Sequence, residues 1–413
     1  MAISRENVLL ESNEASLTTD TLYFDRTKQE AFFNTYGKIV SGENTLTSNK
    51  GRYFFEKEKF QFLDNVELIN KDAKINSVLM DYHPKPKDVY YHGPTTIIGK
   101  DYIAYGERGF YQTIGKTGYM IKNARIDYRT RIIFGDSIFF DENKEYATIT
   151  NNIRVLDTLN NIATQGHYGE LYKKKDSIFL IKRAVAIFLL QKDSLYIHGD
   201  RILITGKKKE RIIRAYNNVK IYRKGMSGKC DSIHFDEKTG IIQMIKNPVL
   251  WYGKNQITGD SIHLVLNKTT KKMDSLKVMR NAFMVEKDTL GTGYNQTMGK
   301  DIYGLFKDGE IYQIDVKKNS EAIYYLYDEA SKLIGINKTI SNDIKVDLVD
   351  KKLEQITFLI KPKGNIFPEK DLPENARKLK NFNWRGEEMI YSKEGIFDED
   401  DRNITLPKIE GID

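Results

Sequence analysis

A short pattern recurs around asparagine residues along much of this chain. Six asparagines have an apolar residue three positions before them and further apolar residues one and three positions after them: Asn65, Asn123, Asn152, Asn218, Asn247 and Asn281. All three offsets are odd, so on an extended strand the apolar side chains share one face and the asparagine lies on the other. The pattern therefore predicts β-strands with one apolar face.

The spacing of these strands predicts a repeat. Asn123 and Asn152 are 29 residues apart, and so are Asn218 and Asn247. A fixed period of this size is typical of stacked arrays, in which one unit cannot bury its apolar face alone. We expect a long repeat protein made of β-strands, with a continuous apolar interior.

A second motif, led by a small residue and an aspartate, precedes several copies. It is clearest in Gly135–Asp141, Cys230–Asp236 and Gly259–Leu264, where apolar residues stand two and four positions after the aspartate. Polar residues suited to a hairpin turn follow, as in Asp141–Lys144. Each repeat is therefore expected to be a strand, a polar turn and a second strand, whose inward faces line opposite walls of a sandwich.

The alignment assigns neighbouring residues to opposite faces. Predicted to point inward are Val219, Ile221, Ile233 and Phe235. Predicted to point outward are Asn218, Lys220, Ser232 and His234. For the recurring asparagine two interpretations stay open: an external ladder of side-chain amides or the mark of a β-bulge.

The composition fits an all-β fold and excludes several classes of function. The chain has 25 Tyr and 20 Phe, residues that suit strands. No window keeps a helical period over a helix length, and no run approaches the roughly 18 apolar residues of a membrane span. The net charge of +8 favours acidic partners, but no nucleic-acid-binding module and no nucleotide or hydrolase motif occurs. We expect neither an enzyme nor a cofactor nor a nucleic-acid partner.

Histidine and cysteine offer few candidate ligands. His234 and His263 occupy the same position in adjacent repeats and are expected to form an outward pair, for which a solvated surface is favoured over a metal site. Cys230 stands where sister repeats have Gly135 and Gly259, so it is interpreted as a small residue at the start of a strand rather than a reactive thiol. No metal site is predicted.

Interruptions of the pattern divide the chain into four segments. The tail holds four of the eight prolines, which remove donors from a β-ladder, and it is expected to dock through Phe382 and Trp384. The segments are residues 1–80, a first block of repeats; 81–117, an irregular Gly/Pro-containing insertion; 118–360, the main repeats; and 361–413, an irregular Pro-rich acidic tail.

The repeats resemble a known family. Gly135–Asp141, Cys230–Leu250 and Gly259–Met284 resemble the OstA-like family, the LptA-type proteins of lipopolysaccharide transport. The segments Gly93–Gly99 and Leu379–Arg385 resemble its long Bacteroidetes-type members. The resemblance implies an all-β, elongated, repeat-built β-jelly roll in the periplasm, with two facing antiparallel sheets, an open seam and little helix. It implies that the apolar interior carries the acyl chains of lipopolysaccharide or lipooligosaccharide (lipid A).

The resemblance also implies partners. Jelly rolls of this family join through their terminal strand edges, so we expect contacts with LptC-type and LptD-type proteins, or a head-to-tail homo-oligomer, within a bridge from the inner to the outer membrane. Because the first strand, near Leu9, has no capping segment before it, we expect the N-terminal edge to dock a partner and the tail to cover the other end. Met1–Arg5 shows no leader, so a periplasmic protein would lack its signal peptide in this sequence.

The expected lipid-binding groove consists of inward apolar residues of the repeats. They are Ile138, Phe140, Ile149, Ile202, Ile204, Val219, Ile221, Ile233, Phe235, Met244, Leu250, Ile262, Leu264 and Met284. Two other functions stay open: a structural or adhesive β rod with a dry core, and a β-helix enzyme acting on polysaccharide, which would need carboxylates clustered on one surface. Bound lipid would separate the transport hypothesis from both.

Overall fold

The computed structural model describes residues 1–11, 15–158, 162–189, 193–207, 210–270, 272–349 and 352–402. These residues fold into two compact units, an N-terminal unit of Met1–Leu180 and a C-terminal unit that begins at Ile181. Antiparallel strands dominate both units, which confirms the predicted all-β class. No helix among the described residues is long and apolar enough to cross a membrane.

The N-terminal unit consists of short and long strands joined by hairpin turns. They are β1 (Ala2–Glu11), β2 (Ser16–Asp25), β3 (Glu30–Phe33), β4 (Gly37–Ser41), β5 (Asn44–Ser48), β6 (Lys50–Phe54), β7 (Lys59–Ile69), β8 (Ala73–His83), β9 (Asp88–Tyr91), β10 (Thr95–Gly99), β11 (Tyr102–Gly106), β12 (Arg108–Gln112), β13 (Thr117–Tyr128), β14 (Arg131–Asp141), β15 (Tyr146–Asp157), β16 (Ile162–Tyr172) and β17 (Ser177–Ile181), which ends at the boundary.

The C-terminal unit continues the same pattern and ends in short helical turns. Its strands are β18 (Val185–Leu189), β19 (Ser194–His198), β20 (Arg201–Thr205), β21 (Ile212–Arg223), β22 (Met226–Asp236), β23 (Ile241–Ile245), β24 (Val249–Tyr252), β25 (Asn255–Thr258), β26 (Ser261–Leu266), β27 (Met273–Lys287), β28 (Tyr294–Lys307), β29 (Glu310–Tyr327), β30 (Leu333–Val349), β31 (Lys352–Leu359) and β32 (Lys363–Phe367). Four 3-10 turns follow, at Glu369–Asp371, Glu374–Arg377, Gly386–Glu388 and Glu394–Ile396, and then a four-residue helix, α1 (Glu399–Arg402).

The chain bends at the recurring asparagine. All six asparagines have φ between 48° and 57°, and the residue before each also has a positive φ, as at Lys122 with 62°. Most residues avoid this conformation, whereas asparagine adopts it more readily. In β13 the register with β14 shifts at this point, between Ile121 and Ala124. The asparagine therefore marks a β-bulge, which bends the strand, and not a ladder of amides.

The two sequence motifs meet at this bend. The Asn152 side chain donates a hydrogen bond from Nδ2 to Oδ2 of Asp136 over 2.8 Å, and Asn281 donates to Oδ1 of Asp260 over 2.9 Å. Both aspartates belong to the second motif, which the sequence placed at the start of a strand. An acid on one strand thus holds the amide of the bulge on another, and we call this arrangement the corner.

The corner divides the repeats between two walls. We call the strand residues on the side that precedes the asparagine the first wall, and those on the side that follows it the second wall. Met120 pairs with Ile138 in the first wall, and Ala124 pairs with Gly135 in the second. The inward faces of the walls meet, since in the C-terminal unit the rings of Phe188 and Phe235 approach to 4.8 Å across the interior. Such facing sheets agree with the predicted jelly-roll arrangement.

A small residue at the corner lets the walls close. A Cβ atom at Gly135 would lie 2.3 Å from Cγ2 of Ile149, so only a residue without a side chain fits beside that isoleucine. Cys230 occupies the corresponding position in a later repeat and is 8% exposed. Burial raises the pKa of its thiol to about 12. The packing of Cys230 agrees with its interpretation as a small structural residue.

The predicted faces are confirmed around the corner of β21 and β22. The four residues expected to point inward are at most 4% exposed: Val219, Ile221, Ile233 and Phe235. The four expected to point outward are all exposed or half-buried: Asn218, Lys220, Ser232 and His234. The odd offsets from the asparagine therefore identify the interior of the molecule correctly.

Residues 81–117 differ from the irregular insertion expected of them. They contain β9 to β12, which continue both walls, with Tyr91 opposite Gly109 in the first and Ile97 opposite Ala104 in the second. Pro94 stands 29 residues from both Asn65 and Asn123 and so takes the asparagine position. A proline usually argues against a strand, but here it lies in the bend between two strands.

The described part of the tail after β32 packs against a face of the C-terminal unit. It lies on the outer side of the second wall of the C-terminal unit, where Phe382 and Trp384 contact Tyr294 at ring distances of 5.0 and 5.5 Å. A shared apolar cluster includes Phe283, Val285, Ile323, Ile336, Leu372 and Leu379. The expected docking residues therefore pack on the protein, and the first residues of the predicted tail form β32, which pairs with β30 at the C-terminal end of the sheet.

Two buried glutamines hold the backbone of the tail. Gln296 donates to the carbonyl of Arg377 over 2.8 Å and accepts from the amide of Leu379 over 2.9 Å. Gln256 makes the same two-point contact, to Asn383 O and Arg385 N. These bonds satisfy backbone groups that the irregular tail cannot pair within itself.

Replacing the bulge asparagine tests the corner. Asn152→Val places a β-branched residue at a positive φ and should lower the free energy of unfolding of the N-terminal unit by about 1–2 kcal/mol. Asn152→Gly, which tolerates this φ, should cost less. Urea unfolding, monitored by far-ultraviolet circular dichroism, measures the free energy of unfolding of both variants. Asn44→Val, at an exposed strand position, is the control, and an equal cost there would contradict the corner account.

Candidate functional site: an apolar interior between two walls

The predicted groove residues lie between the walls. Thirteen of the fourteen are buried, and Phe140 is half-buried and stacks on Tyr111. Ile138, Phe140 and Ile149 belong to the N-terminal unit, and the other eleven belong to the C-terminal unit. The structure thus places the set in two interiors, one in each unit.

In the C-terminal unit the interior residues form stripes across neighbouring strands. Ile233, Met244 and Ile262 are register partners on β22, β23 and β26 of the first wall. Leu250 and Met284 stand on the second wall, each paired with Ile257 between them. Stripes of this kind present an aliphatic surface that runs perpendicular to the strands. A long alkyl chain could contact several repeats at once along such a surface.

The edge opposite the corners is held differently from the corners themselves. Hairpin turns of both walls meet there in the N-terminal unit, and we call this edge the seam. Among the described residues of this unit the contacts across the seam are made by side chains. Four ion pairs cross it: Asp72–Lys116 at 3.5 Å, Asp101–Lys173 at 2.9 Å, Asp176–Arg131 at 2.9 Å and Asp176–Arg129 at 3.5 Å.

These ion pairs differ in burial and hence in strength. The Asp72–Lys116 and Asp101–Lys173 side chains are 34–55% exposed, whereas the side chain of Arg131 is 5% exposed. Exposed pairs contribute little, because water screens them. Burial lowers the pKa of Arg131, and the adjacent carboxylate of Asp176 opposes this effect. The seam therefore has one buried ionic contact, between Asp176 and Arg131, and three contacts with exposed partners, which contribute less.

Removing the acid of each pair tests this difference. Asp176→Asn leaves the buried Arg131 without its charged partner and should reduce the free energy of unfolding by about 3–5 kcal/mol. Asp101→Asn should reduce it by less than about 1 kcal/mol. Urea denaturation at low and high salt measures both variants. Similar losses for the two substitutions would contradict the assignment of Asp176–Arg131 as the main ionic link across the seam.

The two histidines expected to pair on the outside are separated. His234 and His263 both stand on the outer face of the first wall, and each is the register partner of Gln243, which lies between them. Burial lowers the pKa of both imidazoles. Over the described ranges no group of three or more His, Cys, Asp or Glu side chains is placed to hold a metal ion.

A concave surface lies on the outside of the N-terminal unit. Its volume is about 610 Å³, and Ile103, Tyr105, Arg125 and Phe134 are among its lining residues. Arg125 and Arg154 approach the ring of Phe134 to 5.6 and 4.9 Å. None of the fourteen predicted groove residues lines this surface, so it is separate from the interior.

Sequence reasoning missed a group of tyrosines inside the N-terminal unit. Tyr91, Tyr102, Tyr111 and Tyr128 all face the interior: the last three stand near the strand ends at the seam, and Tyr91 stands three residues before the corner position. The first three belong to the segment 81–117, which the sequence predicts to be an irregular insertion. The sequence does contain a signal for Tyr91. A column of residues at 29-residue intervals runs through Phe33, Phe62, Tyr91, Met120 and Ile149.

Comparisons with known proteins match two parts of the chain. Residues 1–78 match a family described as OstA-like protein, and residues 171–271 match one described as LptA/(LptD N-terminal domain) LPS transport protein. Among solved structures, LptH of Pseudomonas aeruginosa is described as the LptA homologous periplasmic component of the lipopolysaccharide transport device. It is 14% identical, with a TM-score of 0.25, over 33% of this chain and 94% of its own. No curated protein sequence matches significantly.

Proposed function

We propose that this chain, an OstA-like protein of the lipopolysaccharide-transport type, binds the acyl chains of lipopolysaccharide in the interior between its walls. The observation that carries this proposal is that two walls with aliphatic inner faces are held together differently at their two edges. One edge is closed by corner bulges, and in the N-terminal unit the other is bridged by side chains. An interior of this kind can open without breaking its backbone ladders.

The physical chemistry of the interior suits a long alkyl chain. Each methylene removed from water contributes about 0.8 kcal/mol, and the stripes of Ile233, Met244 and Ile262 extend over neighbouring strands. An acyl chain lying along such stripes would replace contacts between the two walls. The sugar and phosphate groups would stay at the seam, where the hairpin turns are polar.

The place of the protein in the cell follows from this proposal. The matched families are transport components rather than enzymes, and no catalytic step is assigned to the chain. We place it in the periplasm as part of a bridge between the inner and outer membranes. There it would receive the amphiphile from one jelly roll and pass it to the next.

Strand edges are the proposed contacts with partners. In β1, which pairs with β2 along one side, Leu9 and Leu10 are 56% and 53% exposed. At the other end β31 and β32 both pair with β30. Edge strands readily accept a further strand. We therefore assign jelly-roll proteins of the LptC and LptD type, or further copies of this chain, to these two edges.

A structural rod is the competing function, because the interior is closely packed. Ile262 and Leu264 are 0% exposed, as they would be in a dry core. Photo-crosslinking distinguishes the two. A diazirine-bearing aliphatic amino acid should react with labelled lipopolysaccharide at Ile262, which points inward, and not at His263, its outward neighbour.

The controls for this experiment are thermal unfolding and circular dichroism of both variants. The transport function predicts a lipid crosslink at Ile262 in a protein that melts like the wild type. A folded variant without any crosslink at Ile262 would favour the structural rod. Equal crosslinking at Ile262 and His263 would indicate adsorption to the surface and would also count against an internal lipid.

A further inference from the structure

One interior position of the N-terminal unit carries a polar atom that its sister repeats lack. Within the 29-residue column the residues are Phe33, Phe62, Tyr91, Met120 and Ile149. Tyr91 is 1% exposed, and its hydroxyl is buried without a hydrogen-bond partner. A buried hydroxyl without a partner is unfavourable for folding. Phenylalanine, which occupies this position one repeat earlier, would fill the same space without that penalty.

A second tyrosine and a carboxyl group lie near Tyr91. Tyr111 stacks on Phe140 at 6.0 Å and donates a hydrogen bond from its hydroxyl to Oε2 of Glu142 over 3.4 Å. Gly118 on β13 lies between Tyr111 on β12 and Phe140 on β14. A Cβ atom at Gly118 would lie 2.8 Å from Cζ of Phe140. Burial raises the pKa of Glu142. Burial raises the pKa of Tyr91 well above its usual range, and the nearby Tyr111, Tyr102 and Glu142 raise it further.

The second wall contributes further polar groups at the same seam. Tyr102 lies over Gly99, where a Cβ atom would approach its ring to 2.3 Å. Burial raises the pKa of Tyr102 to about 12. Tyr128 is 5% exposed and its hydroxyl is buried without a partner. The Nη2 atom of Arg131 is likewise buried without a partner, although Nη1 binds Asp176.

The chemistry of this group points to hydroxyl groups as its ligand. Neutral phenols both donate and accept hydrogen bonds, and a carboxylate accepts them. Asp176 pairs with both Arg131 and Arg129, but the charged group next to Tyr111 is the Glu142 carboxyl, which repels an anion when it is ionised. The flat rings of Tyr91, Tyr102 and Tyr111 add apolar surface. Aromatic rings with a few oriented polar groups are typical of sites for small polar molecules.

We propose that Tyr91, Tyr111 and Glu142 bind the sugar hydroxyls of an amphiphile whose acyl chains lie deeper between the walls. This inference rests on the proposed lipid-carrying function and adds to it a residue-specific site for the headgroup. Entry is through the seam, since the exposed pairs Asp72–Lys116 and Asp101–Lys173 cost little to separate. The tyrosine-lined repeats thus orient the amphiphile, with its sugar at the seam and its chains toward the corners.

Removing the two hydroxyls tests the proposal. Tyr91→Phe and Tyr111→Phe recreate the side chains found at the sister positions Phe62 and Phe140, so both should fold. The melting temperature of Tyr91→Phe should be equal to or higher than that of the wild type, because an unpaired buried hydroxyl is lost. Tyr119→Phe, at an outward position that is 37% exposed, is the matched control.

Binding is measured with three fluorescent probes: lipid A, dephosphorylated lipid A and tetradecanoic acid, which has no sugar. The double variant should bind both forms of lipid A roughly tenfold more weakly, as expected for the loss of two neutral hydrogen bonds. Its affinity for tetradecanoic acid and all affinities of Tyr119→Phe should stay within about twofold of the wild type.

The outcomes separate this inference from the function on which it rests. Wild-type binding of all three probes, with no selective loss in the double variant, would overturn the sugar site and leave the lipid groove intact. A loss seen only for phosphorylated lipid A would also overturn it, because the ligand would then be the phosphate. A folded wild type that binds none of the probes would overturn the proposed function together with the site.

Discussion

The bend at the corner is the constraint on which the rest of the structure depends. At Asn152 a side-chain hydrogen bond to Asp136 stabilises two consecutive residues at positive φ, Asn151 and Asn152, and that bulge sends the chain from the first wall to the second. Without the bend each strand would continue in one sheet with an apolar face open to water. With it, the apolar faces of neighbouring segments turn toward each other.

The same bend creates the asymmetry between the two edges of the interior. Backbone continuity closes the corner, whereas side chains such as Arg131 and Asp176 close the seam of the N-terminal unit. The backbone joins the two walls at the corner, whereas only side chains join them at the seam. The walls could therefore separate at the seam while they stay joined at the corner. An interior with one permanent and one separable edge can admit an alkyl chain from the side.

Much of this arrangement could be predicted from the sequence because it depends on local parity. The odd offsets around Asn218 correctly placed Val219 and Ile221 inside, since a strand alternates its faces whatever its surroundings. The strands of the segment 81–117 fall outside the repeat pattern because that pattern is defined by asparagine, and Pro94 stands at the corresponding position. The bend requires neither asparagine nor its positive φ, because Pro94 and Tyr36, which are not among the positive-φ residues, continue the 29-residue spacing of Asn65 in both directions.

Other features depend on contacts between residues far apart in the chain. The tail packs on the second wall through Gln256 and Gln296, whose partners lie more than 80 residues away, and no local pattern shows such a pairing. The tyrosines near the seam were visible as residues but not as a group. Only the meeting of the two walls brings Tyr91 and Tyr102 into one interior. The tyrosine-lined part of the interior therefore depends on the fold and not on a local sequence pattern.

The central claim is that the interior between the walls binds lipid. Native mass spectrometry of the folded protein after incubation with lipopolysaccharide tests it most directly. The account predicts a complex with the mass of the protein plus bound lipopolysaccharide, which persists in high salt because the alkyl chains and not surface charges hold it. A spectrum that shows only the free protein, or adducts that vanish when salt is raised, would contradict the account.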